Sequence, residues 1–144
     1  MENLNISTGE IRLAINGDED NLLVFNPEDV VFAERFYELA KNFSAKEKEF
    51  NARIIALQAN KHMDEHGLPA NTGDTIDLTR ELCEYMREQL DIVFGDGTCQ
   101  RLFGDVNSIN MLTQFLEGIE PYISDARAKK ANKYVNKDAT PVLK

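Results

Sequence analysis

The 144 residues carry 25 acidic against 16 basic side chains, a formal net charge of −9, with 42% hydrophobic and 28% charged residues. A chain of this size is expected to fold as one domain that buries roughly two-thirds of its unfolded surface, with no need of a metal or disulfide. Its charge density and lack of a long apolar run exclude a membrane span, its acidity disfavours nucleic-acid phosphate, and Cys83 and Cys99 form no disulfide framework.

The polar start, Met1 to Ile6, is unlike a secretory leader, so the cytoplasm and reduced thiols are expected. Residues 10–25 read as an antiparallel hairpin. Ile11, Leu13 and Ile15 alternate with Arg12 and Ala14, Asn16 to Asp20 is turn chemistry, and Leu22-Leu23-Val24-Phe25 returns. A lone hairpin is marginal in water, so it must pack on a helix or pair with another chain. Asp18-Glu19-Asp20 misses calcium-loop spacing and reads as a solvated turn.

Asn26-Pro27-Glu28-Asp29 reads as a helix start, with Asn26 capping and Pro27 at the first helical position. Phe36, Phe43, Phe50 and Leu57 then recur every seven residues, with Phe32, Leu39 and Ile54 at neighbouring offsets. Nothing breaks residues 28–66, so one helix closing at His66-Gly67 is expected; Ser44 with Glu47 makes a break near 44 the alternative. Unbroken, this helix spans roughly 60 Å, long for so small a domain. Phe36, Phe43, Phe50 and Leu57 therefore either form core against later helices or line a groove for a partner or a second copy. Lys46-Glu47-Lys48-Glu49 is expected on the solvated face.

After a loop at 67–74, a helix over 75–94 is expected to bury Leu78, Leu82, Tyr85, Met86, Leu90 and Val93. Its outer face pairs Arg80 with Glu84 and Arg87 with Asp91 at i,i+4. A doubled tripeptide follows: Phe94-Gly95-Asp96 and, nine residues on, Phe103-Gly104-Asp105. This reads as a shaped junction. Its glycines let the chain turn, Asp96 suits a turn, Asp105 caps the next helix, and Phe94, Leu102 and Phe103 anchor it to the core. Asn107 or Ser108 caps a third helix with Ile109, Leu112, Phe115, Leu116 and Ile119, ending or bending at Gly118 and Pro121. The fold expected is mainly α (α+β): an N-terminal hairpin, a long helix and two or three further helices packed as a bundle over residues 1–126. Residues 127–144, with six basic side chains against Asp138, form a basic, partly frayed helix or tail.

His62-Met63-Asp64-Glu65-His66 matches the inverted zinc-protease signature, in which two histidines on one helical face hold zinc and Glu65 activates water. On the expected helix it falls in the last turn before a Pro/Gly loop with no marked third ligand, and an exposed helix end is preferred. Gly95-Asp96-Gly97-Thr98 is neither a dinucleotide loop nor a Walker loop, no serine has a G-x-S-x-G setting, and Cys99 has no nearby histidine. No catalytic residue, cofactor, metal or small-molecule substrate is expected.

The order of these features resembles a known family. Phe25-Asn26-Pro27-Glu28-Asp29-Val30 leads into Phe32 to Tyr37, then Asp91-Ile92-Val93-Phe94-Gly95-Asp96-Gly97-Thr98-Cys99, Phe103-Gly104-Asp105, and Ile109 to Ile123. Over residues 10–125 the chain resembles small tail assembly chaperones of phages and prophages of Gram-positive bacteria. The resemblance implies a non-enzymatic helper in the host cytoplasm that binds the tape-measure protein, or another tail protein, and forms homo-oligomers. A structural or adaptor component of the phage particle is the alternative, with a zinc hydrolase using His62, Glu65 and His66 behind it.

Overall fold

A computed structural model of the chain describes residues 1–59 and 61–139. Strands β1 (Ile11–Ala14) and β2 (Leu22–Phe25) form an antiparallel hairpin, followed by helices α1 (Val30–Gln58), α2 (Thr72–Phe94), α3 (Thr98–Phe103) and α4 (Ile109–Ala139). The chain divides into two compact units, Met1–Phe36 with Gln114–Lys144, and Tyr37–Thr113. The boundary expected at residue 126 falls inside α4; of the frayed end expected at residues 139–144, Ala139 is the last residue of α4 and 140–144 lie outside the described residues.

In the first unit the strands pair in the register Ile11↔Phe25 and Leu13↔Leu23, which sets those four side chains on the inward face. Leu23 and Phe25 are buried. The Phe25 ring stacks on Phe32 of α1 at 5.7 Å and meets Tyr122 of α4 edge-on at 6.5 Å. The hairpin therefore packs on helices, as its marginal stability alone requires. Phe32, Ile119 and Ile123 are also buried in this unit.

The helix start lies three residues later than expected. Pro27 is buried in a turn closed by Asp29 N–H to the Asn26 carbonyl (3.1 Å), and the Asn26 side chain accepts the Glu28 N–H (3.0 Å). Asp29 caps α1 by accepting the Val31 N–H at 2.9 Å. Asn26 thus serves a turn before the helix, a role its side chain performs as readily as capping. At the other end of the unit, α4 continues through Pro121 to Ala139, where an end or bend was expected.

The second unit is built on an antiparallel helical hairpin. Asn42 donates to Gln89 (3.1 Å), the Phe43 and Tyr85 rings lie 6.1 Å apart, and Arg53 reaches Glu81 (2.9 Å), so α1 and α2 run past each other in opposite directions. Leu39, Phe50, Leu78, Cys83, Met86, Leu90, Val93, Cys99 and Leu112 are its buried apolar side chains.

Helix α1 ends at Gln58, not at His66. The apolar seam stops at Leu57, and its carbonyl accepts from the Asn71 side chain at 2.8 Å. Beyond it, Asp64 Oδ1 accepts the N–H groups of His66 (2.8 Å) and Leu68 (2.9 Å). An aspartate that captures backbone donors in this way favours a turn over another helical turn. Met63 bridges Pro69, Ala70 N–H reaches the His62 carbonyl, and Gly67 takes φ 76°, closing a tight loop.

Candidate protein-interaction surface

The heptad-spaced residues divide between core and cleft. Phe36 is half-buried against Phe32, with the rings 6.3 Å apart, in the first unit. In the second unit Phe50 is 1% exposed, a core residue, and Phe43 is half-buried on Tyr85. Leu57 is half-buried and joins Ala56 and Leu78 as the apolar part of a cleft between α1 and α2. Of the four, Leu57 faces a space that another molecule can enter.

The walls of that cleft are Arg53, Asp74, Asp77 and Glu81. Arg53 gives both terminal nitrogens to the Glu81 carboxylate, at 3.1 and 2.9 Å. The bond from Arg53 holds the Glu81 carboxyl below its ordinary range, and the bond to Glu81 raises Arg53. The same end of the helical hairpin carries four large exposed apolar side chains: Ile55 (67%), Met63 (62%), Leu68 (51%) and Ile76 (55%). Nothing in the periodicity of α1 singled these out, because each belongs to a helix end or a loop.

Lys46 was expected in solvent but is half-buried, with Nζ 4.8 Å from the Tyr85 ring centroid. A lysine can cover an aromatic face with its stem while its ammonium meets the ring.

The doubled tripeptide encloses a helix. Gly95 and Gly97 take φ 113° and 81°, α3 runs from Thr98 to Phe103, and Gly104 takes φ 59° on the way out. Asp105 has another role than the cap expected of it. Asp105 accepts the Gln100 side chain at 3.0 Å, and Ser108 caps α4 by accepting the Met111 N–H at 3.2 Å. Asp96 is exposed. The cap of α3 comes from the preceding helix, where Asp91 Oδ1 accepts the Cys99 N–H at 2.9 Å.

Arg87 does not pair with Asp91 as expected. Its guanidinium donates to the Val106 carbonyl (2.8 Å) and the Gly104 carbonyl (2.7 Å), clamping the exit of the junction. Phe94, Leu102 and Phe103 are half-buried rather than fully buried anchors, and the deep positions belong to Thr98 and Cys99. Burial, with the Asp91 charge behind it, pushes the Cys99 thiol up to about 12, and burial also raises Cys83. These are structural thiols held neutral. Glu84, Glu88, Asp91 and Asp105 line a second, polar cleft beside Arg87.

The zinc signature loses its geometry, because residues 61–71 are not helical and His62 and His66 share no helical face. Glu65 pairs instead with its neighbour His66 at 3.4 Å. No helix among the described residues is long and apolar enough to cross a membrane.

A family model described as a family of unknown function, DUF6673, matches residues 19–140. The chain belongs to the DUF6673 family. The DUF6673 match covers α1, the 62–70 loop, both clefts and the whole junction, and it begins in the loop between the two strands. No curated protein and no solved structure matches the chain.

Proposed function

We propose that this protein is a non-enzymatic binding protein, a phage tail assembly chaperone that covers the tape-measure protein in the host cytoplasm and self-associates while doing so. The observation that carries a binding role is the open end of the α1–α2 hairpin. Ile55, Met63, Leu68 and Ile76 stand exposed there, beside a cleft with Ala56, Leu57 and Leu78 inside it. Apolar side chains beside an apolar-floored cleft suit the anchor residues of an amphipathic helix, which recur at three- and four-residue steps. The client's identity rests on the resemblance carried by Phe94 to Asp105.

Co-expression with the tape-measure protein encoded nearby tests this. The client is expected to become several-fold more soluble with the parent chain, and Ile55→Asp with Ile76→Asp is expected to abolish the gain without loss of helical circular dichroism. A client no more soluble with the parent than alone refutes the reading.

A further inference from the structure

Helix α2 carries acidic residues at Asp74, Asp77, Glu81, Glu84, Glu88 and Asp91. Successive members lie three or four residues apart, so the six carboxylates form one stripe, about 25 Å long at ~1.5 Å per residue. All but Asp91 are exposed. The first three line the cleft that holds Leu57 and Leu78, and the last three line the second cleft with Asp105. The stripe is therefore a grooved surface with an apolar floor at one end. Three adjoining cations are already engaged: Arg53 on Glu81, Arg87 on the Gly104 and Val106 carbonyls, and Lys46 on Glu49 at 3.4 Å. On α2 itself, Arg80 is the other cation.

The complementary charge lies in the same chain. Residues 127–144 hold Arg127, Lys129, Lys130, Lys133, Lys137 and Lys144 against Asp138, and α4 runs as helix to Ala139. Lys130, Lys133 and Lys137 repeat the three- and four-residue step of the acidic stripe. Matching spacing and opposite sign make the pair complementary over about two turns, and such complementarity sets both encounter rate and register.

We propose that the basic segment 127–144 of one copy docks on the acidic stripe of α2 in a second copy, joining copies head to tail. The two surfaces differ, so each added copy leaves one stripe and one tail open, and assembly grows until it closes or ends. This rests on the self-association named above and not on the identity of the client.

Sedimentation equilibrium on the full chain is the test, at about 0.05 M and about 0.5 M salt, where screening differs strongly. The parent is expected to associate in low salt and weaken in high salt. Two variants are expected to weaken association at least about tenfold: Asp77→Asn with Glu84→Gln and Glu88→Gln, and Lys129→Gln with Lys130→Gln, Lys133→Gln and Lys137→Gln. A chain carrying the exchanged charges, Asp77→Lys, Glu84→Lys and Glu88→Lys with Lys129→Glu, Lys130→Glu, Lys133→Glu and Lys137→Glu, is expected to associate again. Association that ignores both neutralised variants overturns the docking and leaves self-association standing. A parent that is monomeric at every concentration overturns both. The tail variant alters no residue of the helical hairpin, so it decides the matter even if the stripe variant fails to fold.

Discussion

Arg87 holds the exit of the junction with two charge-assisted bonds to backbone carbonyls, at 2.8 Å to Val106 and 2.7 Å to Gly104. Bonds from a charged donor contribute roughly 1.5–3 kcal/mol each, and Arg87 is half-buried, so Arg87→Ala is expected to cost about 2–4 kcal/mol in denaturant titration. Arg87→Lys is expected to recover little of this, because a single ammonium lacks the planar fork that reaches both carbonyls. A cost under about 0.5 kcal/mol for Arg87→Ala shows that the clamp is idle. Cys99, whose thiol donates to the Arg87 backbone carbonyl at 3.5 Å, gives a pH prediction. Its folded pKa, about 12, is raised above the ~8.5 of an unfolded thiol. The stability it contributes is therefore whole below the unfolded value and is lost as pH climbs toward the folded one. Alkylation of the native protein near neutral pH is expected to proceed only through opening, and to accelerate with denaturant. Modification of Cys99 as fast as a free thiol contradicts the buried site.

At the scale of elements, the helices and the hairpin are legible because each is amphipathic. Period two places Ile11, Leu13, Leu23 and Phe25 on one face, and period 3.6 recovers Leu78, Met86, Leu90 and Val93 of α2, while Leu82 and Tyr85 are half-buried and the buried Cys83 falls outside the expected stripe. The element ends are not, because competing side chains set them. Asn26 has the chemistry of a cap or of a turn, and a proline behind it decides for the turn. Asp64 ends the prospect of helix beyond Gln58 by taking two backbone donors, a choice invisible in hydrophobic pattern. Of the candidate site, Leu57 was legible in the seam, whereas Ile55, Met63, Leu68 and Ile76 carry no periodic signal. Arg87 was misread because a long side chain takes its partner from tertiary structure and not from its own helix. The glycines of the junction, Gly95, Gly97 and Gly104, all take positive φ where the chain turns, and they allow an element-scale prediction. Gly97 has φ 81° and no atom within 4 Å of an added Cβ, so Gly97→Ala tests backbone conformation with no steric term. It is expected to cost about 1–2 kcal/mol, and Gly97→Asn less, since asparagine tolerates the left-handed region. Phe103, half-buried, is expected to lose less on Phe103→Ala than the ~3–5 kcal/mol of a fully buried phenylalanine. Phe50→Ala, at a site 1% exposed, is expected to reach that range, and equal costs for the two contradict the burial difference.

Across the whole molecule, salt should act on folding and on association with opposite signs. Residues 1–126 hold 24 acidic against 10 basic side chains, and α2 lines six of those acids along one face. Like charges at i,i+3 and i,i+4 oppose the helix that presents them, and a net charge far from zero opposes compaction. Raising salt from about 0.02 M to about 0.3 M shortens the Debye length from roughly 20 Å to under ~6 Å, within the span of the stripe. Relief of self-repulsion by about 1 kcal/mol is then expected to raise the melting temperature by ~3–5 °C in dilute protein, where association contributes nothing. The same screening removes the attraction between stripe and tail, so the weight-average mass is expected to fall over the interval in which the melting temperature rises. The triple variant Asp77→Asn, Glu84→Gln, Glu88→Gln separates the two effects. It is expected to melt higher than the parent at low salt, to show a smaller salt response and to associate less. A variant that melts lower at low salt would show instead that the three carboxylates stabilise the fold through pairings of their own, and the stripe would then be a structural feature of α2 and not a surface held open at the expense of stability.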